Sequence, residues 1–587
     1  MIMNIRQQLT QIVSDAFEKA GYSREYGNVT GSNRPDLCQF QCNGAMSAAK
    51  EYKKAPIAIA RDVAELLKAD SRFSMVDAAA PGFINMSLDE GYLAGLLNDM
   101  AADSRLLLPE MQPLTIVIDY GAPNVAKPLH VGHLRSTIIG DALYKLAKFL
   151  GHRVISDVHL GDWGLQMGLV IAETRRQKPG LVYFDPDFTG EYPEEPPLTV
   201  DEMNFIYPQA SARAKEDEAF AAEAAAATVA LQNKARGYYE FWQQIRQVSV
   251  DDLKRSYDIL GVSFDYWYGE SDAAPYIEDV LKLLREKGLL QESEGALIVD
   301  VSMPEDKEPM PPMIIVKSDG GDLYGTTDLG TLLQRMRDWN PDEIWYVVDN
   351  RQSFHFKQVF RCAGLAGIIG DDTLCIHIGF GTMNGKDGKP YKTREGGVMR
   401  LSDLIETVTS GAYDRICQSD VIGEEEEKRK AARMVGMAAL KIGDLINHRN
   451  KDYIFDLDRF LATDGKTGPY LQYTAVRINS VLSKAREQSL KPGKILPPAT
   501  DTERDLMLSL IGVADNMLRA FADKAPNVIC ESLFDIATVF NKFYGETKIL
   551  TCADESRRAS WLGLLELTHR MLIILLDIIG VDVPEKM

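Results

Sequence analysis

Residues Leu114 to Asp141, LTIVIDYGAPNVAKPLHVGHLRSTIIGD, restrict the possible fold more than any other stretch of this chain. The run Leu114 to Ile118 has the length and β-branched content of a buried strand. It ends at Asp119, passes through a loop holding Gly121, Pro123 and Pro128, and enters a helix near His130 or Val131. A strand, a glycine-bearing loop and a helix start present backbone N–H groups and a positive dipole end to a phosphate. His130-Val131-Gly132-His133 sits at that helix start, and histidines three apart share one face of a turn. Gly132 lets a ligand approach the backbone closely. Alone, HxGH fits any nucleotidyl-transferring α/β enzyme, or merely two helix-capping histidines.

At 587 residues the chain is too long for one core, so several domains are expected. With 45% hydrophobic and 26% charged residues it reads as globular. No run of about 18 apolar residues suggests a membrane span. The N-terminus reads as an amphipathic helix rather than a signal peptide, so a cytoplasmic protein with no membrane partner is expected. Seven scattered cysteines read as reduced thiols. Cys38 and Cys42 are the only close pair, no second pair completes a zinc site, and no structural zinc is expected. The net charge of −20 argues mildly against nucleic acid, although binding depends on local patches.

With its flanks, the motif resembles the HIGH signature of class I aminoacyl-tRNA synthetases, and specifically that of arginyl-tRNA synthetases. Ala122-Pro123-Asn124-Val125-Ala126-Lys127-Pro128 precede Leu129-His130-Val131-Gly132-His133, and Leu134-Arg135-Ser136-Thr137 follow. The resemblance runs from the N-terminal unit to the last residue. It implies a multidomain α/β protein. A Rossmann-like, doubly wound parallel-sheet catalytic domain would carry an N-terminal α+β domain and a C-terminal all-helical anticodon-binding (DALR) bundle. It also implies a monomer whose partners are ATP, L-arginine and arginine tRNA, with Mg²⁺ on the nucleotide.

Taken in order, residues 1–110 form a first unit. Apolar residues recur at helical spacing from Ile5 to Phe17 and from Ile57 to Leu67, with strand-like pieces at Phe73–Val76 and Phe83–Leu88. The family's N-terminal domain contacts the corner of the tRNA, and the loose match Gln39 to Asn43 puts Asn43 there; a purely structural role is the alternative. Residues 111–400 are expected to hold the catalytic domain, with a connective insertion at about 173–255. In the insertion, Asp185 to Glu202 reads as a solvated loop and an Ala-rich helix starts near 211. Strands are expected at Val154–Val158, Ala296–Val301, Met313–Lys317 and Ile344–Val348. Ligands of such sheets bind at the carboxyl ends of the strands. His159-Leu160-Gly161-Asp162-Trp163-Gly164-Leu165-Gln166 falls on that edge, and the resemblance implies that His159 and Gly161 lie beside ATP. Residues 401–455 read as a helical stem and 456–587 as the helical bundle. The resemblance implies an anticodon contact around Tyr473 and Arg477, through stacking and phosphate pairing.

Charging a tRNA needs positioning of the phosphates and neutralisation of oxygen charge more than covalent help. His130 and His133 can donate to phosphate oxygens, and Gly132 lets the adenosine lie on the backbone. Class I enzymes add a mobile loop with the sequence KMSKS. Here the corresponding run ends Lys392-Thr393-Arg394-Glu395-Gly396-Gly397, with Thr393 where the second lysine would stand. In arginyl enzymes that depart this way, the lysine before HIGH is thought to supply the charge; here that is Lys127. Lys392 and Arg394 are the remaining basic candidates on the loop, and adenylate formation is expected to need bound tRNA.

A guanidinium is planar, always charged, and suited to a carboxylate with an aromatic or amide to set its plane. Asp119 with Asn124, Tyr324 with Asp328, and Gln352 supply such groups. The resemblance implies that Tyr324, Asp328 and Gln352 contact arginine, with Asp328 on the guanidinium. Asp119 stands where eukaryotic members often carry Glu and would reach the α-amino group. Two competing expectations are a cysteine-type class I enzyme, which would need a thiol-binding zinc site, and a non-catalytic synthetase-like binding protein.

Overall fold

The computed structural model describes residues 3–34, 36–316, 324–389, 391, 399–419 and 421–587. These divide into two compact units. One unit spans Gln112–Leu461 with Ile578–Val581, and the other joins Met1–Met111 to Ala462–Asp577 and Asp582–Met587.

The first of these is built on a four-stranded parallel sheet. Its order is Leu374–His377, Glu343–Tyr346, Thr115–Asp119, Arg153–Asp157. The chain makes the two strands on one side first, then crosses beyond Thr115–Asp119 to lay down the other two. The order therefore reverses between Thr115–Asp119 and Glu343–Tyr346, and a crevice opens at the carboxyl ends where connections diverge. Val117, Ile155 and Ile344 share one core with Val280 and Leu284, with Leu329, Leu332 and Leu333, and with Val359 and Cys362. The helix Val131–Phe149 packs against the first two strands.

The expected strand pair Ala296–Val301 and Met313–Lys317 forms, over Ala296–Val299 and Met313–Val316 and outside the parallel sheet. Ala296–Val299 is the central strand of a separate antiparallel sheet, paired with Leu290–Ser293 on one side and Met313–Val316 on the other. The insertion differs from expectation. A helix already runs over Val200–Glu216, because Thr199 and Glu202 cap it reciprocally. The Ala-rich segment is a second helix, Glu218–Gln232, since Asp217 ends the first and caps the second.

The other unit contains an antiparallel sheet ordered Val29–Gly31, Phe40–Cys42, Phe83–Leu88, Phe73–Ala79. It also contains the helices Gly468–Glu487, Asp501–Ile511, Val513–Ala522, Asn527–Glu546 and Glu555–Ile578. Asn98 bonds both backbone groups of Ile495, and Arg504 pairs with Glu90, so the two ends of the chain share this unit. The helix Glu555–Ile578 has an 18-residue window of mean hydropathy 1.4, long and apolar enough to cross a membrane by length and composition. This corrects the expectation of no such run. Of that window 56% is buried, as for a core helix.

Candidate active site

The loop between Asp119 and the helix start is held in a conformation that sequence alone would not favour. Ala122 and Ala126 adopt φ of 37° and 58°, a left-handed region costly for residues with a Cβ. Neighbouring backbone over-determines them. Val125 N–H donates to Gly161 O at 3.0 Å, Gly161 N–H to Pro123 O at 3.0 Å, and Ala126 N–H to Ser249 Oγ at 3.1 Å. Gln166 donates to Val125 O. Asn124 is thus stitched to Gly161, where a Cβ would come within 2.3 Å of Asn124 Oδ1.

His130 is the N-cap of the helix Val131–Phe149. Its Nδ1 accepts from Gly132 N–H at 3.1 Å, and His133 Nδ1 accepts from His130 N–H at 3.0 Å. An Nδ1 that accepts must carry its proton on Nε2 when neutral, so both rings keep an Nε2–H to donate. The rings lie 3.9 Å apart between centroids. Burial, then His130 and Lys127, push the His133 imidazole down to about 3. Burial, then Lys127 and Arg351, lower His130 as well. Gly132 has a role beyond ligand access: a Cβ there would meet the His130 ring at 2.8 Å. Lys127 is half-buried, with its ammonium 5.6 Å from the ring centre of Tyr207, a residue of the insertion.

The segment after residue 398 is tied to this helix start. Val131 N–H donates to Met399 O at 3.1 Å and Leu401 N–H to Leu129 O at 2.9 Å. Lys392, Thr393 and Arg394 lie outside the described residues. Arg135, one turn into the helix, is 1% exposed and pairs with buried Asp444 at 2.9 Å.

Across the crevice, the helix Tyr324–Trp339 carries Asp328. The side chain of Tyr324 lies outside the described residues. Asp328 Oδ2 is 2.5 Å from His355 Nε2, on the helix Ser353–Ala366. Gln352 is exposed, at the end of the 3₁₀ turn Asn350–Gln352 that leads into that helix. Asp119 ends its strand, is 4% exposed, and accepts at Oδ2 from Arg335 at 2.7 Å. Burial pushes the Asp119 carboxyl up; Arg335 and His159 pull against it. His159 adopts φ of 36°, and its buried Nδ1 has no hydrogen bond among the described residues.

One member of this wall escaped the sequence reading. Glu270 is 8% exposed, and burial pushes its carboxyl up to about 7, with His159 lowering it and Asp162 and Asp328 raising it. Its backbone N–H donates to Leu160 O at 3.0 Å. Nothing in its local run, Gly269-Glu270-Ser271, marks it. A buried carboxylate sensing both His159 and Asp328 is visible only once the chain is folded. His355 escaped for the same reason.

Of the remaining expected sites, Arg477 lies over the Tyr473 ring at 4.5 Å on the helix Gly468–Glu487, and Tyr473 is 40% exposed. Asn43 is exposed and is the N-cap residue of the helix Gly44–Tyr52, without a side-chain cap bond. Among the described residues, no group of three or more His, Cys, Asp or Glu side chains is arranged to hold a metal.

A family model described as tRNA synthetases class I (R), catalytic domain, matches residues 98–457. The DALR anticodon binding domain matches 471–587, and the arginyl tRNA synthetase N terminal domain matches 3–88. The arginine–tRNA ligase of Alkaliphilus oremlandii is 50% identical over 583 residues, covering 99% of each chain. That of Francisella tularensis subsp. novicida is 43% identical over 592 residues, covering 100% of each. Among solved structures, the arginyl-tRNA synthetase of Plasmodium falciparum superposes with a TM-score of 0.81 at 24% identity, covering 100% of both chains. That of Thermus thermophilus gives 0.79 at 22%, covering 99% of this chain and 100% of that one.

Proposed function

The chain belongs to the arginyl-tRNA synthetase family of class I, and we propose that the crevice between His130 and Asp328 is where it binds ATP and L-arginine. It is an arginine–tRNA ligase: it activates arginine with ATP as an adenylate and transfers the arginyl group to the terminal ribose of its tRNA. The observation that carries the site reading is the pair of histidines at a helix start whose Nδ1 atoms accept backbone N–H groups, which leaves Nε2–H free to donate, on a strand–loop–helix that follows Asp119 at the carboxyl end of the sheet.

In the first step an oxygen of the arginine carboxylate attacks the α-phosphorus of ATP. A bond to that phosphorus forms, the bridge to the β-phosphate breaks, and pyrophosphate leaves with its electron pair. His130 and His133 donate from Nε2 to the phosphate oxygens, and the helix dipole adds to them. Lys127 supplies the mobile positive charge. Asp328, fixed by His355, takes the guanidinium, with Glu270 as a second carboxylate beside it; Tyr324 and Gln352 complete this side. Asp119 and Asn124 take the α-ammonium end. In the second step the 2′-OH of the tRNA attacks the carbonyl carbon and AMP leaves.

Gly132, His159, Gly161 and Thr393 border the nucleotide in this reading. A divalent cation would come bound to the phosphates and would neutralise their oxygen charge; among the described residues no group of three or more His, Cys, Asp or Glu side chains is arranged to hold one. Lys392 and Arg394 act from the loop when tRNA is bound, so adenylate formation depends on tRNA by induced fit. Tyr473, Arg477 and Asn43 contact the tRNA. The enzyme works as a cytoplasmic monomer. A non-catalytic binding role has no observation in its favour.

Arginine-dependent exchange of labelled pyrophosphate into ATP, with and without arginine tRNA, tests this. Exchange only with tRNA supports the whole reading. Exchange without tRNA removes the tRNA-assembled step, and no exchange in either condition overturns the active-site reading.

A further inference from the structure

Arg335 is 1% exposed, and its Nη2 lies 2.7 Å from Asp119 Oδ2 and 2.7 Å from Asp157 Oδ2. Its guanidinium is 5.2 Å from the ring centre of Tyr346. Tyr346, Asp119 and Asp157 are register partners across three adjacent parallel strands, at their carboxyl ends. One side chain therefore gathers the edge of the sheet at the point where the strand order reverses. The same side chain sits seven residues beyond Asp328 on one helix, two turns along the same face.

The two carboxylates are not used alike. Asp157 is occupied at both oxygens: Oδ1 accepts from the backbone of His159 at 3.4 Å and of Tyr268 at 3.3 Å. Asp119 gives Oδ2 to Arg335, and its Oδ1 has no hydrogen bond among the described residues. Two buried carboxylates share one guanidinium, and Asp119 keeps one acceptor that no described residue fills. A buried carboxylate is costly unless its acceptors are paired.

We propose that Arg335 is a positioning residue for arginine recognition. It locks Asp119 through Oδ2 so that Oδ1 accepts from the α-ammonium of the substrate, and it ties that end of the pocket to the helix bearing Asp328. The distance between the two recognition points is then set by one buried side chain. This rests on the reading that Asp119 contacts the α-ammonium.

The test uses the full chain with tRNA and two probes, L-arginine and 5-guanidinopentanoic acid. The second keeps the guanidinium and the carboxylate but has no α-ammonium. A single nitrogen, Nη2, reaches both carboxylates, so Arg335→Lys keeps the charge while its shorter side chain withdraws it from that position. The expected result is a loss of about tenfold or more in arginine affinity, the factor one charge-assisted hydrogen bond carries, with less than about threefold for the deaminated probe. Equal losses for both probes, or none for either, would overturn the proposal and leave Arg335 a simple brace. Asp119→Asn separates the two layers. If Asp119→Asn loses affinity for both probes alike, or for neither, the reading of Asp119 has failed; if its loss is confined to L-arginine and that of Arg335→Lys is not, only the positioning role has failed. Should Arg335→Lys lose its cooperative melting transition, Arg335→Met combined with Asp157→Asn removes one charge of each sign and is judged by the same two affinities.

Discussion

His355 Nε2 lies 2.5 Å from Asp328 Oδ2, joining the helix that precedes the strand Glu343–Tyr346 to the helix that follows it. The pairing holds a carboxylate in one orientation before any ligand arrives, and a preorganised carboxylate can demand a bidentate partner. Asp328→Ala should therefore reduce arginine activation more than tenfold, about 1.4 kcal/mol or more, with ATP binding intact. His355→Gln should raise the KM for arginine by a smaller factor, because the carboxylate remains but its orientation loosens. Steady-state kinetics with each substrate varied in turn checks both. Normal arginine kinetics in the Asp328 variant would remove that residue from the pocket.

Glu270 should give the proposed pocket a pH dependence. Its carboxyl is raised to about 7 in the folded chain, mainly by burial, and only its ionised form attracts a guanidinium. Arginine affinity should improve as pH rises through about 7, with a proton released on binding, and Glu270→Gln should flatten the profile. For stability the sign is opposite. The folded value lies above the ordinary glutamate value of 4.5, so the benefit of keeping this group protonated is present at low pH and is lost as pH rises through about 7. Calorimetric titration in buffers of different ionisation enthalpy measures the proton.

His133 should not titrate in the working range. Burial lowers it to about 3 from 6.5, so it stays neutral while the unfolded chain takes up a proton below 6.5. The stability contributed by a neutral His133 is complete above 6.5 and declines as pH falls from there toward 3. Histidine ¹⁵N chemical shifts should show a neutral Nε2–H form of His133 at pH 5.5. A protonated ring at that pH would sink the account of its donor role.

Gly161→Ala should damage the site more than the fold. The added methyl would stand 2.3 Å from Asn124 Oδ1, the end of a side chain that can swing away. Stability should change by only about 1 kcal/mol, while the KM for arginine rises several-fold because the Asn124 amide is displaced. Thermal melting and kinetics on the same sample separate the two effects.

Tyr473 and Arg477 stack on one face of a helix with Tyr473 40% exposed. Tyr473→Ala should raise the KM for tRNA while leaving the Kd for arginine unchanged. A loss of about 1–3 kcal/mol in stacking would appear as a rise of about fivefold to a hundredfold. An unchanged tRNA KM would place the contact elsewhere.

Much of this protein is local. The strand Thr115–Asp119, the loop with its glycine and prolines, and the helix begun by His130 can be read from the chain because each depends on near neighbours. So can the spacing of Tyr324 and Asp328, the helical C-terminal segment, and the resemblance of the HVGH context to one synthetase family. Other features were decided only when distant segments met. Glu270 comes to the carboxyl edge of the sheet because Gly269 and Glu270 run beside Leu160, more than a hundred residues away. His355 matters because it reaches Asp328, and Arg335 because it spans two strands made long before its own helix. The insertion broke into two helices at Asp217 because its side chain caps the second, a choice that Ala-rich propensity does not reveal. The sequence by itself determined the family, the strand–loop–helix and the helix-start histidines, since backbone propensity and short-range hydrogen bonds act within a few residues. Which carboxylates face one another, how much water they lose and what charge they keep was left to the tertiary structure, because burial and Coulomb interaction depend on distance in space.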